Sequence, residues 1–104
     1  MPAAARGNSA EKVSSKSGSG DNCAYPTMTS TNECSNKVFV EGIGVVREGD
    51  KVAPHTKSGC ILDDSRLTTF SSKVFIQGKG AGRMGDLYTE DNVILAGSSK
   101  VFIG

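Results

Sequence analysis

The side chains best suited to nucleophilic or metal chemistry are few: three cysteines, Cys23, Cys34 and Cys60, and one histidine, His55. Any Ser-His-Asp or Cys-His catalytic set must use His55, because no second imidazole is available as general base. Thiolate and imidazole are good ligands for tetrahedral zinc. One histidine, however, argues against a His-rich cluster, and the spacing matches no zinc finger. An odd number of cysteines leaves one outside any disulfide framework. A small zinc-dependent hydrolase would also need an open metal position and a general base within reach. Glu90 or Asp91 could serve, but no His-Glu-x-x-His segment is present, so this is a remote alternative and catalytic residues are not assigned.

The rest of the sequence must therefore be read for architecture. A chain of 104 residues is one domain, 1–104. Hydrophobic residues make up 37% and charged residues 22%, the composition of a soluble protein with a modest core. No run approaches the roughly 18 apolar residues of a membrane span. The start, Met1-Pro2-Ala3-Ala4-Ala5-Arg6, lacks the apolar core of a signal peptide. Twelve basic against eleven acidic residues leave a net charge of +1, which offers nucleic acid no basic surface. Thirteen glycines and no tryptophan point to many tight turns and few long helices. The only helix candidate is Ser9–Ser15, short and serine-rich.

An internal repeat organises the chain. Ser35-Asn36-Lys37-Val38-Phe39-Val40-Glu41-Gly42 recurs as Ser71-Ser72-Lys73-Val74-Phe75-Ile76-Gln77-Gly78, and again as Ser98-Ser99-Lys100-Val101-Phe102-Ile103-Gly104. Each copy is a β-branched and aromatic run closed by Gly, which reads as strand and turn. Arg47-Glu48-Gly49-Asp50 and Arg83-Met84-Gly85-Asp86 each lie ten residues beyond the lysine of their copy. The third such turn is sought at the other end of the chain, in Arg6-Gly7-Asn8, with Asn for Asp. That makes a closed three-part ring cut inside one unit, with adjacent termini. Loops of unequal length follow the turns: Ser9 to about Cys34, Lys51 to Phe70, and Leu87 to Gly97. Asn92-Val93-Ile94-Leu95 reads as a further strand, with Cys60-Ile61-Leu62 as its counterpart. Gly49 and Gly85 should take a backbone angle that only Gly adopts cheaply, and Asp50 and Asp86 should cap N–H groups in their turns. Arg47 and Arg83 are placed to bridge units; Lys37, Lys73 and Lys100 read as solvated strand ends.

Strand alternation puts Val38 with Val40, Val74 with Ile76, and Val101 with Ile103 on one side, and Phe39, Phe75 and Phe102 on the other. Both faces are then apolar. Either both are buried within the body, or one covers a partner.

The Pro-Ala-Ala-Arg start, the Arg-x-Gly-Asp turns and the Ser-x-x-Val-Phe-Ile-x-Gly strands together resemble the PAAR-repeat family. The resemblance covers nearly the whole chain. It implies an all-β fold: a small cone of three pseudo-threefold-related β units with adjacent termini. It also implies a docking partner, a trimeric β-helical spike, with one monomer per trimer. The open strand edges at a spike's end need capping, and Val38, Phe39, Val40, Val74, Phe75, Ile76, Val101, Phe102 and Ile103 would carry fold and docking face together. Family members often hold zinc near the apex with mostly His ligands plus one Cys. By that resemblance Cys23, His55 and Cys60 are the metal candidates for one zinc, although the family's His-rich set is missing here. A single disulfide, or neither feature, stays open. Cys34 aligns with Phe70 and Gly97 and reads as a small core residue, with a fourth ligand or a disulfide partner of Cys23 or Cys60 as alternatives.

The function these readings imply is a non-enzymatic tip that sharpens a cell-puncturing spike and makes transient contact with the host membrane. A contractile phage tail, and hence a virion, is the expected setting, because the chain carries no extension. The alternative is a type VI secretion tip that recruits effectors, made in the bacterial cytoplasm and exported with its spike.

Overall fold

A computed structural model describes residues 1–14, 28–53, 55–57, 61–63, 65–89 and 92–104. Among them every regular element longer than one residue is a short strand, so the fold is all-β. The strands are β1 (Lys12–Ser14), β2 (Met28–Ser30), β3 (Phe39–Val40), β4 (Ile43–Gly44), β5 (His55–Lys57), β6 (Ile61–Asp63), β7 (Phe75–Ile76), β8 (Lys79–Gly80) and β9 (Val93–Ile94). They form one three-stranded sheet, β2-β1-β9, and three antiparallel pairs, β3-β4, β5-β6 and β7-β8.

Two of the pairs are copies of each other for a local reason. In β3-β4, Val40 faces Ile43 across Glu41-Gly42, whose φ angles are 52° and 80°. In β7-β8, Ile76 faces Lys79 across Gln77-Gly78, at 54° and 81°. Two successive positive φ values are the requirement of the tightest hairpin turn, and Gly at the second position meets it without strain. A third, equivalent pair joins the two ends of the chain. Phe102 faces Ala3, the Ala4 N–H donates to the Val101 carbonyl at 2.8 Å, and the Ile103 N–H donates to Pro2 at 2.8 Å. The matching bonds elsewhere are Val45 to Val38 at 3.1 Å and Ala81 to Val74 at 2.9 Å. The termini are neighbours, and the break falls where the other hairpins turn.

The three hairpins are tied into a closed ring by main-chain bonds. Ala5 N–H donates to Gly82 at 3.1 Å, Gly82 to Val46 at 2.7 Å, and Val46 back to Ala5 at 3.0 Å. A second ring links each turn to the next hairpin: Gly7 to Gly44, Glu48 to Gly80, and Met84 to Ala3, all at 2.8 Å. Each buried N–H at the axis thereby finds an acceptor in another unit. On one side of the ring Val40, Ile76, Ile103, Val45, Ala81 and Ala4 pack together. On the other, Ala5, Val46, Val52, Leu67, Val13, Ile94 and Tyr88 do so, with Phe70 against them.

Side-chain sizes around the ring compensate. A Cβ on Gly80 would lie 2.1 Å from Phe70 Cδ1, and one on Gly44 would lie 2.9 Å from Cys34 Sγ. At the third equivalent place the sizes reverse: Ala3 carries the methyl, and the facing residue is Gly97.

Each unit also carries one arginine–carboxylate clamp. Arg47 Nε donates to Asp50 at 3.0 Å, Arg83 Nε to Asp86 at 3.0 Å, and Arg6 Nε to Glu11 at 2.8 Å. The same carboxylate oxygen accepts the arginine's own backbone N–H, at 2.8, 2.8 and 3.1 Å. The carboxylates are nearly buried while the guanidinium groups keep an exposed flank. These hydrogen bonds raise each arginine pKa against the opposing pull of burial, so the positive charge persists at any working pH. Arg47 and Arg83 thus serve first within their own turns. Among the described residues, only Arg47 Nη1 to Gln77 at 2.8 Å and Arg6 Nη1 near Glu41 at 3.7 Å reach from these arginines to a neighbouring unit.

Four expectations are corrected. The helix expected over Ser9–Ser15 is absent from its described part, residues 9–14: Asn8 and Ser9 take φ of 51° and 66°, and Lys12–Ser14 is β1, hydrogen-bonded on both sides. Asn8 does not replace the missing aspartate; Glu11 does, because its longer side chain reaches back across the extra residues of that turn. Ile94 has Leu67 as its counterpart, not residues 60–62: each donates its N–H to the carbonyl of the clamp aspartate. Ile61–Asp63 instead pairs with His55–Lys57. Finally, Val38, Val74 and Val101 do not share the buried side with Val40, Ile76 and Ile103, as described below. Gly49 and Gly85 do take positive φ, 79° and 93°.

The size compensation predicts a coupling. Gly80→Ala should cost about 1–3 kcal/mol. Combined with Phe70→Ala, the loss should fall short of the sum of the single losses by 0.5 kcal/mol or more on the scale of about 0.5–3 kcal/mol for contacting residues. A double-mutant cycle by denaturant unfolding measures this, and strict additivity would refute it. Glu11→Ala should cost about 3 kcal/mol, on the scale of about 3–5 kcal/mol for breaking a fully buried pair. Adding Asn8→Asp to that variant should leave its melting temperature unimproved.

Candidate functional site

The hydrogen-bond order within each hairpin decides which edge is open. β4 is bonded to β3 on one side and to the neighbouring unit's turn on the other, through Gly44 and Gly7. In an antiparallel ladder, bonded and non-bonded pairs alternate. Val38 with Val45 is a bonded pair, so Phe39 opposite Gly44 is not, and its N–H and C=O turn away from β4. Phe75 and Phe102 stand in the same relation to Gly80 and Ala3. The three segments 38–40, 74–76 and 101–103 therefore form one end layer of the body, each with an open strand edge.

The side chains of this layer divide sharply. Val40, Ile76 and Ile103 are buried core residues. Phe39, Phe75 and Phe102 are 56%, 58% and 51% exposed, and Val38, Val74 and Val101 are 37%, 36% and 37% exposed. The valines miss the buried side because each regular strand begins only at the phenylalanine. One residue earlier the backbone is held by a serine. Ser35 Oγ accepts the Lys37 and Val38 N–H groups at 3.1 and 2.9 Å, and Ser71 and Ser98 do the same in their units. Each serine hydroxyl in turn donates to the hairpin turn of the next unit: Ser35 to Gln77, Ser71 to the Gly104 carbonyl, and Ser98 to Glu41. These buried serines fix the layer.

Identity across units extends to an exposed set of residues. At the exposed positions all three units carry Lys, Val and Phe in succession. At some buried positions they differ, Val45, Ala81 and Ala4, and Val46, Gly82 and Ala5, whereas the buried Ser35, Ser71 and Ser98 are identical. Packing inside one chain explains the variable core. No contact among the described residues explains an identical exposed set. Neither family models nor curated proteins match the chain.

The metal candidates have a different standing. Cys23 and Cys60 lie outside the described residues, as do Glu90 and Asp91. His55 opens β5, in register with Asp63. Among the described residues no group of three or more His, Cys, Asp or Glu is arranged to hold a metal ion. Cys34 is a free thiol, half-buried against Gly7 and Gly44, so the alternative of a disulfide to Cys23 or Cys60 does not hold. Burial raises its pKa, as does Asp50 nearby, while Arg47 and the Asn8 N–H lower it. Among the described residues no helix is long and apolar enough to cross a membrane.

Tyr88 was not singled out by its sequence context. Its ring fills the core beneath the axis at 1% exposure, and its hydroxyl has no hydrogen-bond partner among the described residues. Burial first, then the charges of Asp50 and Cys34, raise its pKa.

Tyr88 and Cys34 both hold their protons more tightly folded than unfolded. The stability this confers is complete below the unfolded values, 9.0 for the thiol and 10.0 for the phenol, and is lost as pH rises beyond them. Melting temperature should therefore be flat from pH 7 to about 8.5 and fall above that. Tyr88→Phe should stay within about 0.5 kcal/mol of the parent at pH 7, since no bond is lost, and flatten the decline above pH 10. A loss well above 1 kcal/mol at pH 7 would show that the hydroxyl is partnered after all.

Proposed function

We propose that the protein is a structural cap of the PAAR-like kind: a small cone of three pseudo-threefold units, one chain of which seats on the end of a homotrimeric β-helical spike. The observation that carries this reading is the end layer, in which Val38-Phe39, Val74-Phe75 and Val101-Phe102 are identical, exposed and repeated about the ring. A single chain has no internal cause to keep three surface sites identical. A partner built from three identical chains supplies one, because each site then meets the same surface.

The open edges at Phe39, Phe75 and Phe102 add a second support. A β-helix ends in unpaired strand edges, which invite further strands and must be covered. Main-chain pairing would give affinity, and the exposed valine and phenylalanine side chains would give a desolvated contact. Such a cap works by shape and rigidity and needs no turnover. Its setting would be the tip of a contractile phage tail, or of the related secretion spike, in transient contact with the target membrane during penetration.

Phe75→Asp should leave the fold intact, because Phe75 is 58% exposed. It should weaken binding to a homotrimeric β-helical spike by about 30-fold or more, the scale of an interface anchor worth about 2 kcal/mol. Native mass spectrometry should show one copy of the chain per spike trimer. Undiminished binding by the variant, or three copies per trimer, would sink the proposal.

A further inference from the structure

The third member of the identical exposed set is a charge. Lys37, Lys73 and Lys100 each precede the exposed Val-Phe pair and are exposed themselves. Their backbone N–H groups are held at 3.1, 3.0 and 3.0 Å by Ser35, Ser71 and Ser98, so all three side chains leave the body from the same rigid turn. None of the three takes part in an ion pair among the described residues, whereas the three ring arginines are all clamped by a carboxylate. Glu41, the acid closest to this layer in the hydrogen-bond network, is already engaged by Ser98 and lies near Arg6. The chain's net charge is only +1, so three like charges on one end are a local feature and not the by-product of a basic protein.

We propose that the three lysines read three carboxylates on the partner, one on each chain of the trimer, just outside the apolar contact. This inference rests on the docking reading above and adds the partner's chemistry to it. An apolar layer with one exposed lysine per unit, none in an ion pair among the described residues, matches a protein surface with an apolar centre and an acidic rim. Rim charges of this kind act on partner choice and association rate more than on the lifetime of the complex. They also bind the orientation: with one lysine per unit, the cap fits the trimer equally well in three rotational positions and in no intermediate one.

The test uses two versions of one homotrimeric β-helix, its last strand carrying either Glu or Gln at the rim, against the full-length protein. Association with the Glu-ended trimer should be about tenfold faster at low salt, within the range of about 10–10³-fold for electrostatic steering, and the advantage should shrink as salt rises. The triple variant Lys37→Gln, Lys73→Gln, Lys100→Gln should bind both trimers at the slower rate, with one copy per trimer retained. Equal rates for both trimers, with one-to-three stoichiometry intact, would overturn the lysine inference and leave the docking reading standing. Binding to neither trimer would overturn both. Lysine-dependent binding to vesicles containing phosphatidylglycerol, without a preference for Glu-ended trimers, would assign the lysines to membrane phosphates and overturn the inference in that way.

Discussion

The structure depends on a triangle of three main-chain hydrogen bonds, Ala5 to Gly82, Gly82 to Val46, and Val46 to Ala5. A triangle of this kind closes only if three backbones approach one axis together. That approach limits the side chains there to Val, Gly and Ala; a Cβ on Gly82 would already lie 3.0 Å from Leu67 and 3.1 Å from the Val46 carbonyl. It also sets the hairpins in a ring and leaves each with one bonded and one open edge. No unit could satisfy these groups alone, since each donor's acceptor lies in another unit. Cooperative folding of the three parts follows from that accounting.

Around the triangle, polar groups do the work that a larger core would do elsewhere. Three clamps, at Arg6, Arg47 and Arg83, close the turns by satisfying a backbone N–H and a guanidinium with one carboxylate. Three serines hold the strand starts and reach the next unit's turn. Short strands of two residues cannot be rigid through their ladders alone. Buried side-chain bonds of this type, each net worth about 0.5–1.5 kcal/mol, make up the difference and fix orientation as well.

The division between core and surface then bears on function. Core positions vary from unit to unit because packing asks only that neighbouring volumes add up: Phe70 faces Gly80, Cys34 faces Gly44, and Gly97 faces Ala3. The exposed Lys-Val-Phe positions do not vary, although water imposes no such demand. The constancy of that exposed set is the physical basis for proposing that the Lys-Val-Phe layer meets an outside partner of threefold symmetry.

The repeat of Ser, Lys, Val, Phe and Gly at set spacing determined by itself the three strand-and-turn units, the all-β class and the adjacency of the termini. Hairpin turns and Gly-Asp turns are local; their backbone angles follow from the residues in them. The tertiary structure alone decided the rest. Glu11 stands in for the third aspartate because a longer side chain reaches the same N–H, which no spacing rule anticipates. Val38 parts from Val40 because Ser35 takes the backbone bond that would have extended the strand. Lys12–Ser14 is a strand because β2 and β9, distant in sequence, pair with it, overriding a serine-rich segment without apolar period. Glu11 and Ser35 lie close along the chain to the N–H groups they accept, but only the folded backbone geometry shows that they reach them; the partners of Lys12–Ser14 are brought near only by closure of the ring.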